Sequence, residues 1–160
     1  MYVIDRTSKY LVVTNLTLGE TVDVLGTILQ LRYVENPGAA FSLGSGTTWV
    51  FAIIASAVVV FILIFARRIK SLGWGVLFGL LLGGTLGNLT DRLTRSPDIG
   101  QGHVVDFIQV YGFPAIFNAA DIAIVSSMGL FILLTILGIG LDGSRQRSKK
   151  AVEPAVDDPA

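Results

Sequence analysis

An all-α integral membrane helix bundle with a small β-hairpin or β-sheet element outside the membrane is the fold class the sequence predicts, on three observations. Hydrophobic residues make up 52% of the chain and charged residues 15%, against roughly 45–50% and about 25% in soluble domains. Three apolar runs, 47–66, 72–90 and 119–141, each approach the ~20 residues that one bilayer crossing takes. A period-two stretch precedes the first of them. At 160 residues the chain holds one domain, expected over 1–144, and a basic then disordered tail over 145–160.

Composition also excludes chemistry. Cysteine is absent and there is one histidine, so a thiol nucleophile, a disulfide framework and a multi-histidine metal site are ruled out, and neither metal nor cofactor is expected. The net charge of zero comes without a basic stripe interleaved with aromatics, so no nucleic-acid partner is expected.

Taken in order, the segment 14–46 is predicted as a β element. Thr21-Val22-Asp23-Val24 and Gln30-Leu31-Arg32-Tyr33-Val34-Glu35 alternate polar and apolar residues around Leu25-Gly26-Thr27, which reads as a hairpin. Asn36-Pro37-Gly38 then breaks the pattern. The first span, 47–66, ends at Arg67, Arg68 and Lys70, and the last is trailed by Arg145, Arg147, Lys149 and Lys150. The positive-inside rule places both clusters in the cytoplasm, and segments 14–46 and 91–118 on the outer side of a multi-pass protein of the cell membrane.

In the second span, Gly75, Gly79, Gly83 and Gly87 recur every four residues, a stripe on one helix face that lets a neighbouring helix approach closely. The same spacing continues to Asp91, so Asn88, Asp91 and Arg92 cluster at the outer mouth of that interface. The bland reading is an interfacial cap in which Arg92 snorkels and pairs with Asp91. Asp106 lies in His103-Val104-Val105-Asp106-Phe107-Ile108, an apolar stretch of the outer loop expected against the membrane surface. Asp121 follows Asn118 at three-residue spacing, on the same helix face. Read blandly, Asp121 is a first-turn acid favoured by the helix dipole and Asp106 a loop carboxylate.

Convergence argues for more. Carboxylates at the edge of a membrane span are costly to keep and mark functional sites, and these fall at one membrane face beside Asn88, Arg92 and Asn118. Two nearby carboxylates cannot both ionise easily, so they share a proton. The ionised one takes a proton from water while its partner hydrogen-bonds a carbonyl, which is acid–base hydrolysis without a nucleophilic side chain.

Five blocks in order, Asp5-Arg6-Thr7-Ser8-Lys9, Asn36-Pro37-Gly38-Ala39-Ala40-Phe41-Ser42, Gly87-Asn88-Leu89-Thr90-Asp91-Arg92-Leu93, Val104-Val105-Asp106-Phe107 and Phe117-Asn118-Ala119-Ala120-Asp121, resemble the lipoprotein signal peptidases (signal peptidase II). The resemblance implies a bacterial membrane aspartic endopeptidase. It would remove signal peptides from prolipoproteins just before a diacylglyceryl-modified cysteine, with membrane lipids around it and no obligate protein subunit. It further implies that Asp106 and Asp121 are the catalytic dyad. Asn36, Gly38, Asn88, Arg92 and Asn118 would bind substrate, and Asp91 would support the site by orienting Arg92.

The family pattern has four transmembrane helices, the first running into the Asp-x-x-Ser-Lys block, whereas only Met1-Tyr2-Val3-Ile4 precede Asp5. Four residues rise about 6 Å as helix, so 1–13 is expected as the remnant of a first span. The rival from another class is a small proton-coupled transporter or scaffold subunit that uses the same carboxylates as a relay. A serine triad built from Ser42, His103 and an aspartate lacks the Gly-x-Ser-x-Gly elbow.

Overall fold

The computed structural model describes residues 1–38 and 47–145. Ala39 to Ser42 of the second block, the rest of 39–46, and the tail from 146 lie outside the described residues. The helices are α1 (Tyr2–Asn15), α2 (Thr48–Phe65), α3 (Leu72–Thr94) and α4 (Ala119–Ile136), with a 3₁₀ turn at Ala66–Arg68. The strands are β1 (Thr21–Leu25), β2 (Leu29–Asn36) and β3 (Val104–Val110). Among the described residues three helices are long and apolar enough to cross a membrane: α2 with its 3₁₀ turn, α3 and α4. Their outward faces carry Ile53, Val60, Leu63, Val125, Met128 and Ile132, all exposed, as lipid-facing positions require.

The predicted hairpin forms, with Gly26 at φ +55 in its turn, a conformation glycine takes without steric cost. The segment 91–118 is not the plain loop expected. Its apolar stretch is β3, which pairs antiparallel with β2 to complete a sheet of order β1-β2-β3. Val104 to Phe107 are buried on both faces of the strand and the last three residues are half-buried, so the pattern Val-Val-Asp-Phe-Ile-Gln-Val lacks the alternation that marks a half-exposed strand. Val105 and Phe107 pack with Val12 of α1 and Tyr33 of β2, which buries β3 inside the protein instead of on a membrane surface.

Two helix ends also differ from the apolar runs. α3 continues through Asp91 and Arg92 to Thr94, where Asp91 has cationic partners and Arg92 donates to the Gly38 carbonyl. α4 stops at Ile136, and Gly138 follows at φ +64, the left-handed position at which helices commonly terminate.

The glycine stripe is used over half its length. A Cβ at Gly83 would lie 2.7 Å from the Met1 side chain, and one at Gly87 would run into the Asp5 carboxylate, whereas Gly75 and Gly79 have nothing within 4 Å. On the next face, a Cβ at Gly84 would be 2.6 Å from the Ala120 carbonyl of α4. Gly83, Gly84 and Gly87 therefore let α1 and α4 close on the end of α3 that carries Asn88, Asp91 and Arg92.

Candidate active site

Asp121 is the third residue of α4, in a reciprocal capping box with Asn118. The Asn118 side chain accepts from the Asp121 N–H at 3.0 Å, and the Asn118 N–H donates to Asp121 Oδ2 at 3.0 Å. An N-cap asparagine contributes about 1 kcal/mol to helix stability, and here the same bonds fix where the carboxylate sits. Asp106 comes from the neighbouring strand. The antiparallel register sets it opposite Val34 and sets Asn36 opposite Val104, so Asn36 is its diagonal neighbour on one face of the sheet.

Three asparagine amides surround the two carboxylates in a common pattern. Asn36 Oδ1 accepts the Gly38 N–H at 3.0 Å while its Nδ2 donates to Asp106 Oδ2 at 2.9 Å. Asn118 Oδ1 is held by the Asp121 N–H, and its Nδ2 donates to Asp106 Oδ1 at 2.6 Å and to Asn88 Oδ1 at 3.2 Å. Asn88 Oδ1 accepts from the Lys9 ammonium at 2.7 Å, and its Nδ2 donates to Asp121 Oδ1 at 2.9 Å. In each case Oδ1 faces a group that can only donate, so the NH₂ must turn toward a carboxylate. Every oxygen of Asp106 and Asp121 accepts an N–H.

Asp106 is 3% exposed. Burial, with the Asp121 charge adding to it, pushes its carboxyl up to about 6, against the opposing pull of the bonds from Asn36 and Asn118. A carboxyl in that range can hold a proton near neutral pH and release it.

Both aspartates open onto a cavity of about 670 Å³ whose further lining includes Asn36, Gly38, Asn88 and Arg92, with Val110, Phe113, Ile122 and Val125 as an apolar wall. Arg92 is buried, donates through Nη2 to the Gly38 carbonyl at 2.8 Å and lies 5.3 Å over the Phe51 ring. Its Nη1 has no partner among the described residues. A smaller cavity of about 230 Å³ reaches Asp106 and Asn36 from the sheet side, past Glu35 and Pro114.

Two expectations change. Asn118 does not line the cavity; fully buried, it lies beneath the aspartates and bonds to both. Asp91 does not pair with Arg92. Its carboxylate binds Arg6, Arg95 at 2.7 Å and Lys9 at 2.9 Å, because the close approach of α1 brings two cations to it. His103 faces Glu35 at 3.7 Å and not an aspartate, and Ser42 lies outside the described residues. The residues that sequence reasoning left without a role are Asp5 and Lys9. Both are fully buried, and a lysine four residues after an aspartate, on one helix face, was the available signal. Among the described residues no group of acidic and histidine side chains could hold a metal ion.

The fold and this cluster define a helical membrane protein with paired, amide-bound carboxylates at the end of its spans. The family model described as signal peptidase (SPase) II matches residues 1–137. The lipoprotein signal peptidase of Leifsonia xyli subsp. xyli is 57% identical over 164 aligned residues, covering all of this chain and 76% of that protein. That of Streptomyces griseus is 47% identical over 89% of this chain and 72% of its own length. A bacterial membrane enzyme solved by the in meso method superposes with a TM-score of 0.77 at 28% identity, covering 92% of this chain and 89% of the other. The chain belongs to the signal peptidase II family.

Proposed function

We propose that this protein is an aspartic endopeptidase that removes signal peptides from prolipoproteins, cutting the bond before the diacylglyceryl-modified cysteine. The observation that carries the reading is the pair Asp106 and Asp121, held on one cavity by three amides of fixed orientation. Family membership supports the substrate class.

In this reading a water lies between the carboxylates. Asp121, half-buried and accepting two N–H groups, is the base. Asp106, the more desolvated partner, holds the shared proton and donates it toward the scissile carbonyl. Water attacks the carbonyl carbon as Asp121 takes its proton. The tetrahedral intermediate then collapses with cleavage of the C–N bond and transfer of a proton to the cysteine nitrogen. Arg92 Nη1, which has no partner among the described residues, is a donor available to a substrate carbonyl, and the apolar wall suits the signal peptide and acyl chains.

The site faces the outer side of the cell membrane, with the 66–71 turn and the C-terminal end cytoplasmic, on the basic residues Arg67, Arg68, Lys70 and Arg145 and the positive-inside rule. A proton relay belongs nearer the midplane on broken helices, whereas Asp121 stands in the first turn of α4.

The test is purified protein in lipid vesicles with two forms of one prolipoprotein, with and without the diacylglyceryl group. Mass analysis should find the lipidated form cut immediately before its cysteine and the other left whole. Equal cleavage of both forms would refute the substrate assignment.

A further inference from the structure

Lys9 reaches the site from α1 although its Cα belongs to a different helix from either aspartate. Its ammonium is fully buried, ion-paired with Asp5 Oδ2 at 3.0 Å and Asp91 Oδ2 at 2.9 Å, and donates to Asn88 Oδ1 at 2.7 Å. Asp5 ties the same helix to α4, its Oδ1 accepting the Ala120 N–H at 3.0 Å, one residue before Asp121. Asp91 is in turn held by Arg6, Arg95 and the Val105 N–H. Asp91 has other cations, whereas Lys9 is the cation on Asp5 among the described residues; neither pairing accounts for the third contact of Lys9, which goes to Asn88.

That contact has a chemical consequence. Asn88 stands between Lys9 and Asp121, and a free amide could present either end to the carboxylate. Turned one way its NH₂ donates to Asp121; turned the other, its oxygen faces a carboxylate oxygen and repels it. An ammonium has no acceptor, so only the first orientation satisfies both neighbours. Asn118 reinforces it by donating to the same Asn88 oxygen.

We infer that Lys9 is a positioning residue of the peptidase site, which through the Asn88 amide holds a hydrogen-bond donor on Asp121. The inference rests on the dyad reading above. The charged groups facing this arrangement are Asp5 and Arg6 on α1, Asp91, Arg92 and Arg95 on α3, Asp106 on β3 and Asp121 on α4. Lys9 and Arg92 are the cations whose charge acts on Asp106 or on both aspartates.

The experiment measures turnover and KM separately for cleavage of the lipidated prolipoprotein. Lys9→Met strands a buried charge and can fail to fold, so it is also made in an Asp5→Asn background, which removes one cation and one anion together. The double variant should lose turnover on the order of 10²-fold, as misplacement of a reacting group does, with KM within about twofold. A folded double variant with parental turnover overturns the proposal.

Asn88→Asp retains an acceptor for Lys9 but cannot donate to Asp121, and a parental turnover number there also overturns it. Adding the Asp5→Asn, Lys9→Met pair to Asn88→Ala, with each variant verified as folded, should cost little turnover beyond Asn88→Ala alone, because the two act in series; additive losses would contradict the link. Asp106→Asn and Asp121→Asn controls that stay active would instead refute the dyad itself.

Discussion

The two ends of the helix bundle are built from opposite chemistry. At one end Trp74, Leu77 and Leu134 pack with Phe78, Leu130 and Ile139 around them, and Trp74 Nε1 donates to the Ile139 carbonyl at 2.9 Å. At the end that carries the sheet, the fully buried side chains include Asp5, Lys9, Asp91 and Asn118. Apolar packing suffices where helices need only adhere. Buried charges contribute little net stability, yet removing one member of a pair costs roughly 3–5 kcal/mol. The polar end is therefore the fragile one, and its ion pairs surround the residues with chemistry to perform.

That contrast can be broken most severely at the glycines. Gly87→Val drives a side chain into the Asp5 carboxylate, displaces α1 and should destabilise the fold by roughly 3–5 kcal/mol, with loss of activity. Gly75→Val, on the same stripe with nothing within 4 Å, should leave the melting temperature in detergent within a few degrees, a comparison that thermal unfolding of the two variants makes directly.

Next in size is a pH effect. Asp106 is held near 6 in the folded protein against an ordinary value of 3.8, so the folded state binds that proton more tightly. The stability it contributes is fully present below about pH 4 and is lost as pH rises through 6, up to roughly 3 kcal/mol. Asp106→Asn does not ionise, so its stability relative to the parent should rise between pH 4 and pH 7. Parallel melting curves across that range would contradict the desolvated dyad.

Asn118→Ala removes a helix cap worth about 1 kcal/mol and also the amide that bridges both aspartates. Turnover should fall on the order of 10²-fold with the fold intact by circular dichroism. Smallest is Trp74→Phe at the apolar end, which should cost about 1 kcal/mol for one buried hydrogen bond and leave turnover unchanged.

The spans, the hairpin and both aspartates were legible in the sequence because each rests on a local signal: run length, period-two alternation, or a charge inside an apolar stretch. What escaped it depends on neighbours distant in the chain. β3 was read as a membrane-surface loop because a strand covered on both faces has no alternation. Arg92 was paired with Asp91 because they are adjacent, while the partners of Asp91 from α1, Arg6 and Lys9, lie 85 and 82 positions upstream. The place of Asn118 beneath the dyad, and the shared pattern of the three amides, follow only from the sheet register and the cap geometry taken together.

The most direct measurement is turnover of the lipidated prolipoprotein by parent, Asp106→Asn and Asp121→Asn proteins, each verified as folded by its melting curve. The paired-carboxylate account predicts that each substitution alone lowers turnover by on the order of 10³-fold or more, within reach of general acid–base contributions, and that the double variant is no worse than either. Turnover near the parental rate in either single variant would contradict it.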